Sequence, residues 1–200
     1  MKQKEKYLLS AKDGFTLIEV LITAAIIGLM TAAVFVSLQR GKTDKEVNAV
    51  AQQIATSIRE AQNYALSGKQ ISTTTTTCGF GFRRVNATTY NLFYNHTTNV
   101  ITKCDDVVKM YSTALPNNVS ANVYSAIVLP NGVTFLNNAA TGVTTSQRIY
   151  FSAPFGNIFN FDGNSLTSVK TLLVRKDPIT YAICVNSGGS VEVVKGSVCP

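Results

Sequence analysis

Apolar and polar positions divide the chain into three textures. From Phe15 to Leu38 the residues are apolar on nearly every side of a helix, relieved only by Thr16, Glu19, Thr23, Gly28, Thr31 and Ser37. A run of 24 residues without proline is long enough to cross ~30 Å of hydrocarbon. After "QRGKTDKE" the apolar positions thin to a single stripe: Val47, Val50, Ile54, Ile58, Ala61 and Ala65, spaced by three and four. Gln52, Gln53, Thr56, Arg59, Glu60 and Gln62 fill the other side. No proline interrupts residues 15–67, and Gly68 is a natural stop. The pattern predicts one long helix over 15–67. Its half 15–38 is suited to a membrane, and its second half needs a domain to lie against. Gly41 is the expected place for a bend or local melting.

The third texture, residues 68–200, is that of strands and turns. "CGFGFRRV" and "TTYNLFYN" are β-rich runs separated by "NA", which predicts a hairpin. "IVLPNGVTFL" carries a Pro-Asn-Gly turn between apolar runs, and "RIYFSAPFGNIFNF" a strand, a Pro-Gly loop and further aromatic residues. "SVKTLLVRK", "ITYAICVN" and "SVEVVKG", parted by "DP" and "SGG", predict a three-stranded meander. "VVKMYS" offers a further strand, and "TTTTT" (73–77) an approach or strand edge. A sheet with one apolar face would take the Val47–Ala65 stripe as its partner. The fold class is therefore α+β, a long N-terminal helix packed on a C-terminal antiparallel β domain.

Charge changes this picture only at the start of the chain. The formal charge is +7, but Lys2, Lys4, Lys6 and Lys12 stand against only Glu5 and Asp13 in the first fourteen residues. The remainder, fourteen basic against nine acidic residues, is +5 and spread out. Ordinary solvated charge explains it better than a polyanion-binding surface. Four cysteines, Cys78, Cys104, Cys184 and Cys199, have no C-x-x-C spacing, and His96 is the one histidine. Behind a membrane-directing segment they read as two disulfides in an oxidising compartment. Three pairings are open; the local one, Cys78–Cys104 with Cys184–Cys199, is the expectation. Asp105, Asp106 and Asp162 are the residues that could contribute to a calcium loop, which would need further oxygens from elsewhere, so no metal and no cofactor is expected. No phosphate loop follows "GFGF", and His96 has no catalytic partner at a recognisable spacing, so an enzyme is not expected.

Glu19 is the residue that asks for a reason. A carboxylate within an apolar run costs about 2.5–3.5 kcal/mol at a helix centre on insertion scales. The segment "GFTLIEVLITAAIIG" resembles the cleavage and methylation site of type IV prepilins and type II secretion pseudopilins. That resemblance implies a leader peptide over 1–14, cut between Gly14 and Phe15 by a prepilin peptidase on the cytoplasmic side, with Phe15 then N-methylated. Phe15, Thr16, Leu17, Ile18 and Glu19 all match as they stand. Glu19 becomes an assembly residue: its carboxylate pairs with the Phe15 amine of a neighbouring subunit, offsetting the desolvation of both charges.

The C-terminal half, through "LPNGVTF", "IYFSAPFG" and "YAICVNSGGSVEV", resembles the H-type minor pseudopilin branch, FimU- and FimT-like minor pilins included. The resemblance implies a non-enzymatic minor pilin or pseudopilin at or near the tip of a pilus or secretion pseudopilus, with an initiating role. Its implied partners are other pilin or pseudopilin subunits, the peptidase, and the inner membrane before assembly. A single membrane pass would place the globular domain outside the cytoplasm. Two alternatives stand beside it, a major pilin and a DNA-binding minor pilin of an uptake machine. For the latter, Arg83, Arg84, Lys103 and Lys109 are the candidate basic patch, with Tyr90, Phe93 and Tyr94 to stack bases. Nucleic acid is the less favoured partner, because the Gly-Arg-x-Arg stretch of the branch's DNA-binding members has no arginine counterpart in "GGSVEV".

Overall fold

The computed structural model describes residues 14–74, 76–97, 104, 120–130, 132–136, 147–159 and 165–200. The described chain falls into two compact units, divided between Lys42 and Thr43. Helix α1, Leu17–Leu66, runs through that border and stays helical at Gly41, so the local melting expected there does not occur. The first unit holds the apolar part of α1, with Leu17–Phe35 long and apolar enough to cross a membrane and no part of it buried. Residues 43–200 form the second unit, the head.

α1 ends as its glycine foretells. Gly68 takes φ 59°, Lys69 N–H donates to Tyr64 O at 3.0 Å, and Gly68 N–H donates to Ala65 O at 3.0 Å. These are the two bonds of a Schellman cap, which needs a left-handed residue that glycine adopts without a Cβ penalty.

Among the described residues nine strands follow: β1 Thr76–Arg84, β2 Thr89–Thr97, β3 Ser120–Val128, β4 Thr134–Phe135, β5 Arg148–Ser152, β6 Ile158–Phe159, β7 Lys170–Lys176, β8 Ile179–Val185 and β9 Val191–Lys195. The predicted hairpin is β1–β2 and the predicted meander is β7–β8–β9. They belong to different sheets. One is five-stranded in the order β3-β2-β1-β5-β6, the other four-stranded in the order β4-β7-β8-β9, and these pairings are all antiparallel. The chain leaves the first sheet at Val128 and joins the second at Thr134; Asn131 of the expected turn lies outside the described residues. The stripe of α1 therefore has two sheets for partners. Val47, Val50, Ile54, Ile58, Ala61 and Ala65 are buried together with Phe80, Phe82, Tyr90 and Leu92 of the first sheet and Leu172, Val174, Ile183 and Val185 of the second. Ala51 and Ala55 join them in the same core. Ser57 and Tyr90 share a buried hydrogen bond of 3.1 Å, a polar tie between α1 and the first sheet, and burial raises the Tyr90 phenol above its ordinary pKa.

"GFGF" is a packing device. Phe80 and Phe82 alternate into the core, while Gly79 and Gly81 leave room on the opposite face. A Cβ on Gly81 would stand 2.6 Å from the Phe93 ring, and one on Gly79 2.4 Å from the Tyr150 hydroxyl. The side chains that use this room, Phe93 and Tyr150, stack with centroids 6.3 Å apart. Cys78 is bonded to Cys104 and Cys184 to Cys199, the local pairing. The second bridge ties the C-terminal residues to β8, and Thr171 Oγ1 of β7 donates to Cys199 Sγ at 3.2 Å. "VVKMYS" lies outside the described residues, as do Thr75 of the threonine run and the leader before Gly14.

Candidate processing and assembly site

The site is the start of α1. Gly14, Phe15 and Thr16 precede the helix without regular structure, and Leu17 is its first residue. Thr16 is the N-cap. Its Oγ1 accepts from the Glu19 N–H at 3.3 Å, and its carbonyl accepts from Glu19 N–H at 3.1 Å and Val20 N–H at 3.3 Å. Thr-Leu-Ile-Glu is the Thr-x-x-Glu pattern of a capping box, in which a threonine hydroxyl satisfies the third helical N–H. The family motif hides this signal, because Thr16 reads there as one matching position among five. Its physical role is to start the helix and so to fix where the irregular junction ends. Glu19 stands in the first turn, where a negative charge opposes the positive end of the helix dipole. Physical chemistry thus favours an acid here before any partner is considered.

The side chains around it are open. Phe15 is 81% exposed, and Leu17, Ile18, Val20, Leu21 and Ile22 are all more than half exposed. A Cβ added at Gly14 would meet no heavy atom within 4 Å, so the Gly14–Phe15 peptide stands clear of the other described residues.

Among the described residues, three of those assigned to the candidate nucleic-acid patch, Arg84, Tyr90 and Phe93, are buried. Arg84 points into the core side of β1 and is 8% exposed. Its Nε donates to Asn86 O at 3.1 Å, Nη1 to Leu136 O at 3.0 Å and Nη2 to Phe135 O at 3.4 Å, with the guanidinium 5.5 Å from the Phe135 ring centre. Burial lowers its pKa from the ordinary value. These bonds hold the chain where it passes from one sheet to the other, so Arg84 joins the sheets. Tyr90 and Phe93, two of the expected stacking residues, are buried at 0% and 4% exposure. Tyr94 is half-buried and packs against the core through Phe80. Arg83 lies on the other face of β1 directly opposite Arg148 of β5, while Lys103 and Lys109 are outside the described residues. His96 sits 5.7 Å from the Tyr94 ring and 3.5 Å from the Asn122 amide, neither of which is a nucleophile or a carboxylate. Among the described residues no group of three His, Cys, Asp or Glu side chains gathers as a metal site; Asp105, Asp106 and Asp162 are outside them.

Residues 9–35 match the family model of the prokaryotic N-terminal methylation motif. No curated protein sequence and no solved structure matches the chain. The motif covers the junction, the cap, Glu19 and the apolar part of α1, and it supports a subunit of the type IV pilin and pseudopilin kind, made to assemble with other such subunits.

Proposed function

We propose that the chain is a non-enzymatic minor pilin or pseudopilin subunit, held in the cytoplasmic membrane by the apolar part of α1 and then assembled through it into a type IV pilus or a type II secretion pseudopilus. Its position is at or near the tip, in an initiating role, with the head outside the cytoplasm. The observation that carries the assembly reading is the pairing of an open Gly14–Phe15 junction with a helix that Thr16 caps and that exposes apolar side chains from Leu17 to Phe35. In this reading a prepilin peptidase cuts after Gly14, Phe15 receives a methyl group on the new amine, and Glu19 of one subunit meets the Phe15 amine of the next. The pairing offsets two desolvation costs and sets the register between helices. The tip position follows the likeness of the C-terminal half to minor pseudopilins. The DNA-uptake alternative loses support from Arg84, Tyr90 and Phe93, which are buried.

The intact mass of protein extracted from membranes tests the processing step. The expected mass is that of a chain starting at Phe15 with one added methyl group. A chain starting after residue 38 would mean cleavage as an ordinary secretory signal and would end the pilin reading.

A further inference from the structure

Where α1 enters the head, two of its acids reach three neighbouring strands. Asp44 accepts from Lys195 Nζ of β9 at 2.8 Å and from the Tyr181 hydroxyl of β8 at 3.1 Å. Glu46 accepts from Lys176 Nζ of β7 at 2.8 Å. The side chains are within reach of water: Asp44 and Glu46 are 33% exposed, Lys176 31% and Lys195 60%. One residue further on, Val47 is completely buried and the apolar stripe begins. The border between the two compact units lies just before the cluster, after Lys42.

We infer that this cluster is a release point for α1: residues 43–46 can leave the head and unwind together, and Val47 is where the unwinding stops. Ion pairs that water reaches contribute little each and are screened by salt, whereas burial of an aliphatic side chain is not screened. Local opening is therefore easy up to Glu46 and becomes steeply harder at Val47. Opening frees residues 43–46 from their contacts with the head. The length of α1 that the head grips is set by charge at one end of the grip and by packing along the rest. The pairing also holds the Asp44 carboxyl below, and the Lys195 amine above, their ordinary ranges, as a formed tie should.

Hydrogen exchange of the full chain in detergent micelles, read by mass spectrometry, tests this. At about 0.5 M NaCl, where the Debye length is only a few ångströms, amides of residues 43–47 should exchange roughly fivefold faster than at low salt. Those of residues 50–62 should not change. Asp44→Asn with Glu46→Gln should show the fast rate at low salt already and respond no further to salt. Val47→Ala should carry the fast region one turn further along the helix. Unchanged rates at 43–47 in salt or in the double variant would overturn the release point. So would an increase that spreads evenly through 50–62, because the cluster would then support the whole fold. A Val47→Ala pattern that still ends at residue 47 would overturn its role as the stop.

Discussion

Leu17–Phe35 and Val47–Ala65 belong to one helix and draw on the same aliphatic residues, yet their side chains meet opposite surroundings. Ile18, Ile22, Ile26 and Ile27 are 49–62% exposed, while Val47, Ile54 and Ile58 are fully buried. Position around the helix separates them. In the second segment the large apolar side chains keep to one face, so two sheets can cover them all. In the first they occupy every face, so no single-sided partner could do so. Each such side chain gains about 1.5–3 kcal/mol when taken out of water. The exposed segment is therefore suited to surroundings that enclose it on every side, as lipid or neighbouring helices would. Folding and assembly draw on different stretches of α1.

The sharpest way to break that division is one substitution in each stretch. Ile54→Ala leaves a cavity between helix and sheets and should cost about 2–5 kcal/mol, read as a lower urea midpoint of the full chain in micelles. Glu19→Val lies outside the packed core and should leave that midpoint within about 0.5 kcal/mol of the parent. Its expected loss is in incorporation into sheared filaments. If Glu19→Val assembles like the parent, the pairing with the Phe15 amine is wrong. If it unfolds the head, the two stretches are not separate.

Much of this was legible in the sequence, and the parts that were not share a cause. The stripe from Val47 to Ala65, the stop at Gly68, the β1–β2 hairpin and the β7–β8–β9 meander all follow from patterns among residues near one another in the chain. The split into two sheets does not, because it rests on β5 returning to pair with β1 and on β4 crossing to β7. Hydrophobic alternation marks a strand without naming its neighbour. The role of Arg84 was hidden for a related reason. Adjacent arginines look like a surface patch until strand alternation puts them on opposite faces, and then one of them is inward by necessity. At the candidate site the motif was plain in "GFTLIE", while the Thr16 cap lay concealed within it.

The buried stretch has two sheets to lie on only while the crossing between them holds, so Arg84→Ala probes that half of the comparison next. It removes charged donors from the carbonyls of Phe135, Leu136 and Asn86. A buried acceptor left unpaired costs about 1–3 kcal/mol, so the urea midpoint should fall, by less than for Ile54→Ala. Nonspecific affinity for duplex DNA should not change, since the guanidinium is not at the surface. Undiminished stability with weakened DNA binding would restore the nucleic-acid reading.

The smallest expected effect lies at the border between the two stretches, and it depends on pH. The hydrogen bond from Lys195 pulls the Asp44 carboxyl below its ordinary range against the opposing pull of partial burial, and Tyr181 adds to the lowering. The folded state thus binds the Asp44 proton less readily than the unfolded chain, whose aspartates titrate near about 3.9. Stability from this tie is fully present above that value and is lost as pH falls through the lower folded one. Asp44→Asn should therefore lower the urea midpoint slightly at neutral pH, and the gap from the parent should close as the medium is brought to about pH 2. The lysine stays charged throughout, so the closing reports the carboxylate alone. A gap of the same size at both ends of that range would mean that Asp44 acts through shape and hydrogen bonding, and the border would then be set by packing on both sides.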